Sequence, residues 1–413
     1  ILIGLVGSEM CIRDSIKTIF TIHNLKFQGT WSVDTIKGFS GLSDYYFTSD
    51  KLEAYGNGNL LKGGLVYADR ITTVSRSYAS EIRMPFYGEG LDGLLRARSK
   101  QLSGIVNGID YNVYNPKTDK DIAVNYSVED AIKAKAANKT ALQKELGLEE
   151  NPDAFMLGIV SRLTDQKGLD LVECVLDQIC AEDVQLVVLG TGEGKYQDMF
   201  TYYSRKYPER VSANIFYSEA LSHRIYASCD AFLMPSLFEP CGLSQLMSLR
   251  YGTLPIVRET GGLRDTVTPY NEVDGTGTGF SFTNYNAHEM LAIIRYAKKT
   301  YFNDRKAWNE MVLRAMKQDF SWDASAREYE KLYDGLIEEE ARRKEAIRLQ
   351  QAREAAEAAL KEAEKALELA KRAEEKAIRK FSGIEDEPED EKAEISKAEE
   401  IDEVPVGCVI VCD

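Results

Sequence analysis

Between residues 155 and 258 the chain repeats one pattern: a short apolar run, a break, then about ten residues of amphipathic helix. The runs are 155–161, 185–190, 213–217, 231–235 and 254–258. The helices between them are 169–179, one ending at Tyr207, one ending at Ala227, and 243–251. Apolar runs that do not alternate with polar residues suit strands buried on both faces. Helices of that length between them are the crossovers of a parallel sheet. Ligands of such sheets bind at the carboxyl ends of the strands, so the residues just after each run are where chemistry is expected.

The first hundred residues are less regular. A β-branched, apolar run over 17–22 ends at His23-Asn24, a helix ends near Asp69, the next strand is 71–75, and 103–110 reads as strand then turn. The polar, Lys-rich stretch 119–150 reads as an interdomain connection carrying one helix, 131–146, closed by Gly147. A closing helix is expected over 321–337. From 338 to 380 the chain is almost wholly Ala, Glu, Lys, Arg and Leu without Gly or Pro, which predicts a separate long charged helix. Its seam (Leu360, Ala363, Leu367, Ala370, Ala377) allows a weak coiled coil and helix-mediated self-association. A solvated single helix held by i,i+4 ion pairs fits equally well. Residues 381–413, with twelve acids and two bases, read as a disordered acidic tail.

The opening residues are read differently. The stretch from Val6 to Ser15 back-translates onto a transposase sequencing adapter, so 1–15 are set aside from the fold. A secretory signal is not expected there, because a polar, acidic stretch follows the apolar start.

Composition narrows the function. With 66 acidic and 51 basic side chains the net charge is −15, which argues against a nucleic-acid binder. No run approaches the roughly 20 apolar residues of a membrane-spanning helix. Seven scattered Cys suit the reduced thiols of a cytoplasmic protein, and three His leave no room for a His-rich metal site.

Four strand-end constellations carry candidate chemistry. The loop 161–168 places Arg162 and Lys167 together, and two cations at a sheet's carboxyl edge suit a pyrophosphate; a solvated loop reads the same way. Glu239 lies in Phe-Glu-Pro-Cys-Gly, a carboxylate at a strand end before a helix, where the macrodipole alone would also favour an acid. Glu259-Thr-Gly-Gly-Leu, with Asp265 beyond, runs from strand through glycines into a helix and would offer backbone amides to an anion. His23 closes the first strand. The glycine-rich exit 188–193 lacks the full dinucleotide fingerprint.

Together these stretches resemble bacterial glycogen synthases and plant starch synthases. The resemblance runs from about Thr18 to Leu336. It is carried by TIHNLKFQG, GGLVYADRITTVS, YGEGLDGLL, GIVNGIDYNVYNP, GIVSRLTDQKGLDL, VVLGTGEGKY, LSHRIYASCDAFLMPSLFEPCGLSQL, YGTLPIVRETGGLRDTV and SWDASAREYEKLY, in that order. It implies an α/β, two-Rossmann (GT-B) glycosyltransferase. Residues 16–118 are then the remnant of the first domain and 119–320 the nucleotide-sugar-binding second domain. Such enzymes move glucose from ADP-glucose to the non-reducing-end 4-hydroxyl of an α-1,4-glucan, with retention and without a metal or other cofactor.

By the same resemblance, Arg162 and Lys167 hold the diphosphate, where positive charge stabilises the departing nucleotide. Glu239 contacts the donor glucose, and His23 and Asn107 lie beside it. Cys241 flanks the acid, Tyr217 lies against the adenine, and Thr260, Gly261, Gly262 and Leu263 offer amides to the phosphates. The family's opening Lys-x-Gly-Gly-Leu loop has no counterpart upstream of Ile16, and Lys62-Gly-Gly-Leu65 only mimics it. The first domain is therefore expected to be incomplete, with unpaired strand edges, and the chain to be poorly soluble or inactive alone. The competing readings are a UDP-glucose enzyme, a noncatalytic glucan-associated scaffold with 338–380 as its arm, and a gene fragment without independent function.

Overall fold

The computed structural model describes residues 16–383. The leader 1–15 and most of the acidic tail lie outside the described residues. The described chain divides into two units, one ending at Asp334 and one beginning at Gly335.

The larger sheet of the first unit has six parallel strands: β7 Phe155–Val160, β8 Val184–Leu189, β9 Val211–Asn214, β10 Ala231–Met234, β11 Leu254–Arg258 and β12 Phe280–Phe282. Their order is β12-β11-β10-β7-β8-β9. Side chains alternate between two cores. Phe155, Leu157 and Ile159 of β7 enter the main one, while Met156 joins Val187, Leu189, Ile225 and Cys229 on the other face. The chain runs outward from β7 to β9, then returns to place β10 on the other side of β7. The crevice between β7 and β10 is thus the switch point where ligands of open α/β sheets sit.

The second sheet is smaller: β1 Ile19–Ile22, β5 Arg70–Thr73 and β6 Leu102–Gly104, all parallel, in the order β1-β5-β6. Its core joins Ile22, Leu61, Leu65, Ile71, Tyr78 and Leu95. Among the described residues β1 is an edge strand. A cavity of about 460 Å³ opens beside it, lined in part by Phe20, His23, Asn24, Phe27 and Leu61. A short antiparallel sheet, β2 Thr30–Trp31, β3 Glu53–Ala54 and β4 Asn57–Asn59, connects β1 to the helix that follows.

The helices preceding the larger sheet are α1 Val33–Ser40, α2 Leu60–Tyr67, α3 Arg76–Glu81, α4 Asp92–Ala97 and α5 Ala131–Leu146. Those that follow are α6 Leu169–Ala181, α7 Gly194–Lys206, α8 Glu219–Ser228, α9 Ser244–Arg250, α10 Gly261–Thr266, α11 Ala287–Asn303, α12 Arg305–Met316 and α13 Trp322–Phe381. Lys62-Gly-Gly-Leu65 forms part of α2 and not a ligand loop. Asn59 caps its Lys62 amide, and the Lys62 ammonium donates to the Ser49 carbonyl at 2.6 Å. A Cβ on Gly64 would sit 2.4 Å from the Phe20 ring, so the glycine lets this helix press against β1.

Three expectations change. The Lys-rich stretch is not a bare connection, because α5 lies on the larger sheet with Lys135 and Lys139 buried. Lys139 pairs with Asp230 at 2.6 Å. Lys135 donates to the carbonyls of Tyr226, Ala227 and Tyr251 and to the Thr253 hydroxyl. Partners distant in sequence satisfy these charges, so a polar composition did not mean a solvated segment. The strand expected over 213–217 is β9, Val211–Asn214, and Tyr217 lies beyond it. Asn214 donates to the Val188 carbonyl, and the chain then turns toward Ser218, which caps α8. The closing helix and the charged helix are one continuous helix, α13. Gly335 inside it costs only about 1 kcal/mol relative to Ala, too little to end a helix.

The start of α13 is bound to the connection after β6. The Ser325 hydroxyl donates to the Val106 carbonyl at 2.7 Å, and the Ile109 amide to the Phe320 carbonyl at 2.8 Å. A Cβ on Gly108 would fall 2.5 Å from the Trp322 backbone, so only glycine fits there. In the unit from Gly335 the charged face is solvated. Arg353 meets Glu357 at 2.9 Å and Arg372 meets Glu368 at 3.5 Å, each four residues apart, while Leu360 and Leu367 are exposed. No helix among the described residues is long and apolar enough to cross a membrane.

Candidate active site

The loops leaving β7 and β10 face each other across the switch point, and they bring Lys167 to Glu239. The Lys167 ammonium lies 2.6 Å from the Glu239 carboxylate, which also accepts the Ser236 hydroxyl at 3.0 Å. Glu239 is 6% exposed. The two loops are pinned together on both sides: the Leu237 amide donates to the Gln166 carbonyl, and the Gln166 side chain to the Phe238 carbonyl. Arg258 supports the turn from below by donating to the Leu237 carbonyl at 2.6 Å. Arg162, on the same β7 loop, is exposed, and its guanidinium has no hydrogen bond or ion pair among the described residues. One cation therefore neutralises the buried carboxylate, and the other is available to an incoming anion.

The glycine loop after β11 packs against the same turn. The Gly262 amide donates to the Glu239 carbonyl at 3.0 Å. A Cβ on Gly261, whose φ is +46°, would lie 1.9 Å from that carbonyl oxygen, and one on Gly262 would lie 2.0 Å from the Cys241 carbonyl oxygen. The pair is glycine because the backbone of the acid's turn occupies the space of both side chains. The remaining amides also have partners inside the chain. Thr260 donates to the Arg258 carbonyl, Leu263 to the Thr260 carbonyl, and Gly261 to the Glu81 carboxylate at 2.8 Å. The loop expected to present free amides to phosphates holds them all internally here.

Cys241 is buried, and burial pushes its thiol up to about 12, against the pull of an Asn107 backbone hydrogen bond and with Glu239 adding to the rise. It is a neutral packing group that meets the Asn107 segment, not a nucleophile. His23 is exposed on the wall of the cavity beside β1. Its loop reaches the acid's turn through Lys26, whose ammonium lies 5.9 Å from the centre of the Phe238 ring. Tyr217 stands 84% exposed past the outermost strand, β9, and among the described residues it makes no hydrogen bond to the Glu239 turn.

Two features escaped sequence reasoning. Glu81, at the end of α3, accepts the Gly261 amide and the Thr260 hydroxyl. Burial raises its carboxyl above the usual range although these hydrogen bonds and Arg258 oppose the rise. Asp119, His223 and Asp121 form a compact group whose atoms could suit a metal. Asp119 is already engaged, however: one oxygen accepts His223 at 2.7 Å and the Tyr251 hydroxyl, the other the Asp121 amide. The group reads as a structural network beneath Tyr114, which stacks on His223.

The chain also matches known proteins. Residues 6–97 match the family model of the starch synthase catalytic domain, and 140–312 that of glycosyl transferases group 1. The glycogen synthase of Lachnospira eligens is 69% identical over 321 residues, 78% of this chain and 67% of that protein. That of Bacillus cereus strain Q1 is 51% identical over 327 residues, 79% of this chain and 68% of that protein. Among solved structures, the catalytic domain of Starch Synthase IV from Arabidopsis thaliana, bound to ADP and acarbose, superposes with a TM-score of 0.75. It is 34% identical, over 81% of this chain and 70% of that one. Anabaena HepE in complex with UDP-glucose, 18% identical over 78% of this chain and 73% of that one with a TM-score of 0.50, shares the fold alone. The chain belongs to the glycogen synthase family of two-Rossmann (GT-B) glycosyltransferases.

Proposed function

We propose, against the expectation that it is inactive alone, that the chain transfers glucose from ADP-glucose to the non-reducing-end 4-hydroxyl of an α-1,4-glucan, with retention, in a cleft between residues 16–118 and 119–320. The observation that carries the reading is the buried Lys167–Glu239 pair at the switch point, with Arg162 on the same loop exposed and unpaired among the described residues. Two cations next to a buried carboxylate suit a ligand with an anionic part and a hydroxyl-rich part joined at one bond.

The step follows from that arrangement. The anomeric carbon–oxygen bond to the diphosphate breaks, and the electron pair leaves with the nucleotide. Arg162 and Lys167 offset that developing charge. Glu239, losing part of its hold on Lys167 as the diphosphate arrives, is then available to donor sugar hydroxyls or to the positive charge growing at the anomeric carbon. The acceptor hydroxyl forms the new bond to the anomeric carbon and passes its proton to the departing diphosphate oxygen. His23, exposed at the end of β1 in the other sheet, is assigned to the sugar by the family resemblance. A nucleotide diphosphate rather than a free sugar is the donor form this charge pattern favours, and the ADP in the starch synthase relative supports adenine as the base.

The test is transfer of labelled glucose to glycogen from ADP-glucose and from UDP-glucose in parallel. ADP-glucose is expected to be used at least about tenfold better, a difference of about 1.4 kcal/mol. Substituting E239Q is expected to abolish transfer. Equal use of the two donors refutes the donor assignment, and undiminished transfer by the Gln variant refutes the role of the acid.

A further inference from the structure

Helix α3 is only six residues long, yet contacts at both its ends cross to the candidate site on the larger sheet and a third holds the loop after His23. The Ser75 hydroxyl, which caps its start, donates to the Pro240 carbonyl at 2.6 Å, next to Glu239. The Tyr78 hydroxyl accepts the Leu25 amide at 3.1 Å, two residues after His23. Glu81, at its end, accepts the Gly261 amide at 2.8 Å and the Thr260 hydroxyl at 3.2 Å. Helix α10 reciprocates: Asp265 accepts the Ser77 amide at 2.9 Å and the Ser77 hydroxyl at 2.6 Å. Each of the two short helices supplies the carboxylate that satisfies first-turn donors of the other.

We propose that Glu81 and Asp265 are positioning residues for glucosyl transfer, forming a reciprocal cap that fixes the loop Thr260-Gly-Gly-Leu263, and through it the Glu239 turn, in register with the opposing wall. This rests on the transfer reaction proposed above. The route is short and continuous. Glu81 holds Gly261, and the next residue, Gly262, donates to the Glu239 carbonyl. The glycine pair leaves no clearance against the 239–241 backbone, so a shift of the loop is passed to the acid rather than absorbed. Neither carboxylate needs to touch the sugar. A change of about 1 Å in a reacting group is enough to cost up to about a hundredfold in rate.

The experiment compares E81A, E81Q and D265N in the full chain. Gln keeps an acceptor oxygen for Gly261 and Thr260, whereas Ala removes it. E81A is expected to lower kcat at least about tenfold while KM for ADP-glucose changes less than about threefold, and E81Q to restore most of kcat. Hydrogen exchange provides a readout independent of activity: backbone amides in 259–263 and 236–242 exchange faster in E81A and D265N than in wild type. Wild-type kcat in E81A, or unchanged exchange over 236–242, overturns the proposal. A wild-type chain that transfers no glucose refutes the functional reading instead, and the exchange data then decide the interlock alone.

Discussion

Replacing Lys167 with Met separates what the ion pair does for the fold from what it does for the reaction. The Glu239 side chain is 8% exposed and the Lys167 side chain 16%, with 2.6 Å between them. Removing the lysine leaves a buried carboxylate with the Ser236 hydroxyl as its remaining side-chain partner. Breaking a buried pair from one side costs about 3–5 kcal/mol, and water entering the cleft puts this case near the low end, about 3 kcal/mol. For a body of this size that is a fall of roughly 6 °C in Tm. The double variant K167M/E239Q no longer buries an unpaired charge, so it is expected to regain at least half of the loss while remaining unable to transfer glucose. Scanning calorimetry reads the first quantity and transfer from ADP-glucose the second. A double variant no more stable than K167M refutes the argument, because the pair would then not be what holds the buried carboxylate. A double variant that regains transfer refutes the catalytic part.

Three further outcomes follow from the same geometry. Gly261→Ala forces a methyl group to within 1.9 Å of the Glu239 carbonyl oxygen, whereas a Cβ at Gly194 meets nothing within 4 Å. The first is expected to lower kcat about a hundredfold and the second to leave it unchanged, as steady-state kinetics will show. Arg162→Ala is expected to weaken ADP binding about tenfold by calorimetry with Tm unchanged, because the guanidinium is exposed and unpaired among the described residues. The Asp119–His223 pair makes stability depend on pH. Burial is the largest single influence and opposes charge on both groups, but hydrogen bonds and neighbouring charges together outweigh it: Asp119, Asp121 and Glu219 raise His223, and His223, the Tyr251 hydroxyl and the Asp121 amide lower Asp119. A raised imidazole stabilises the fold below its unfolded value and stops doing so as pH rises through the folded value. A lowered carboxyl stabilises above its unfolded value until pH falls through the folded one. Asp119→Asn is therefore expected to cost more stability at pH 5.5 than at pH 8.5 in denaturant titrations, and an equal loss at both would contradict the assignment.

Much of the larger sheet was legible because its strands are buried on both faces and announce themselves as apolar runs. β7, β10 and β11 fall within a residue of their expected ends, and their exits locate Arg162, Lys167, Glu239 and Thr260. What pairs with what was not legible. Lys135 and Lys139 gave no sign of burial, because the Ala227 carbonyl and the Asp230 carboxylate that receive them lie some ninety residues away along the chain. Glu81 carried no signal, since its partners Thr260 and Gly261 are about 180 residues distant. The amides of Thr260-Gly-Gly-Leu263 could be read as available from their spacing; only the folded backbone shows them occupied. Tyr217 was placed on a strand because apolar and aromatic residues continue past Asn214, whereas the ladder to β8 ends there.

The seam between the connection after β6 and the start of α13 also dictates when the molecule can be finished. The Ser325 hydroxyl that meets Val106 arrives 219 residues after it. At ribosomal rates of roughly 5–20 residues per second, that is a delay of roughly 10–45 s. During this interval β1, β5 and β6 can pair, and the six-stranded sheet can assemble as it emerges, but the backbone at Gly108 faces water. A nascent chain stalled before residue 320 would hold two folded sheets joined through α3 and α10 but without this second seam. Final assembly is thus a late event on the translation clock, and a protease present during synthesis would find 104–110 accessible long after the strands on either side have closed.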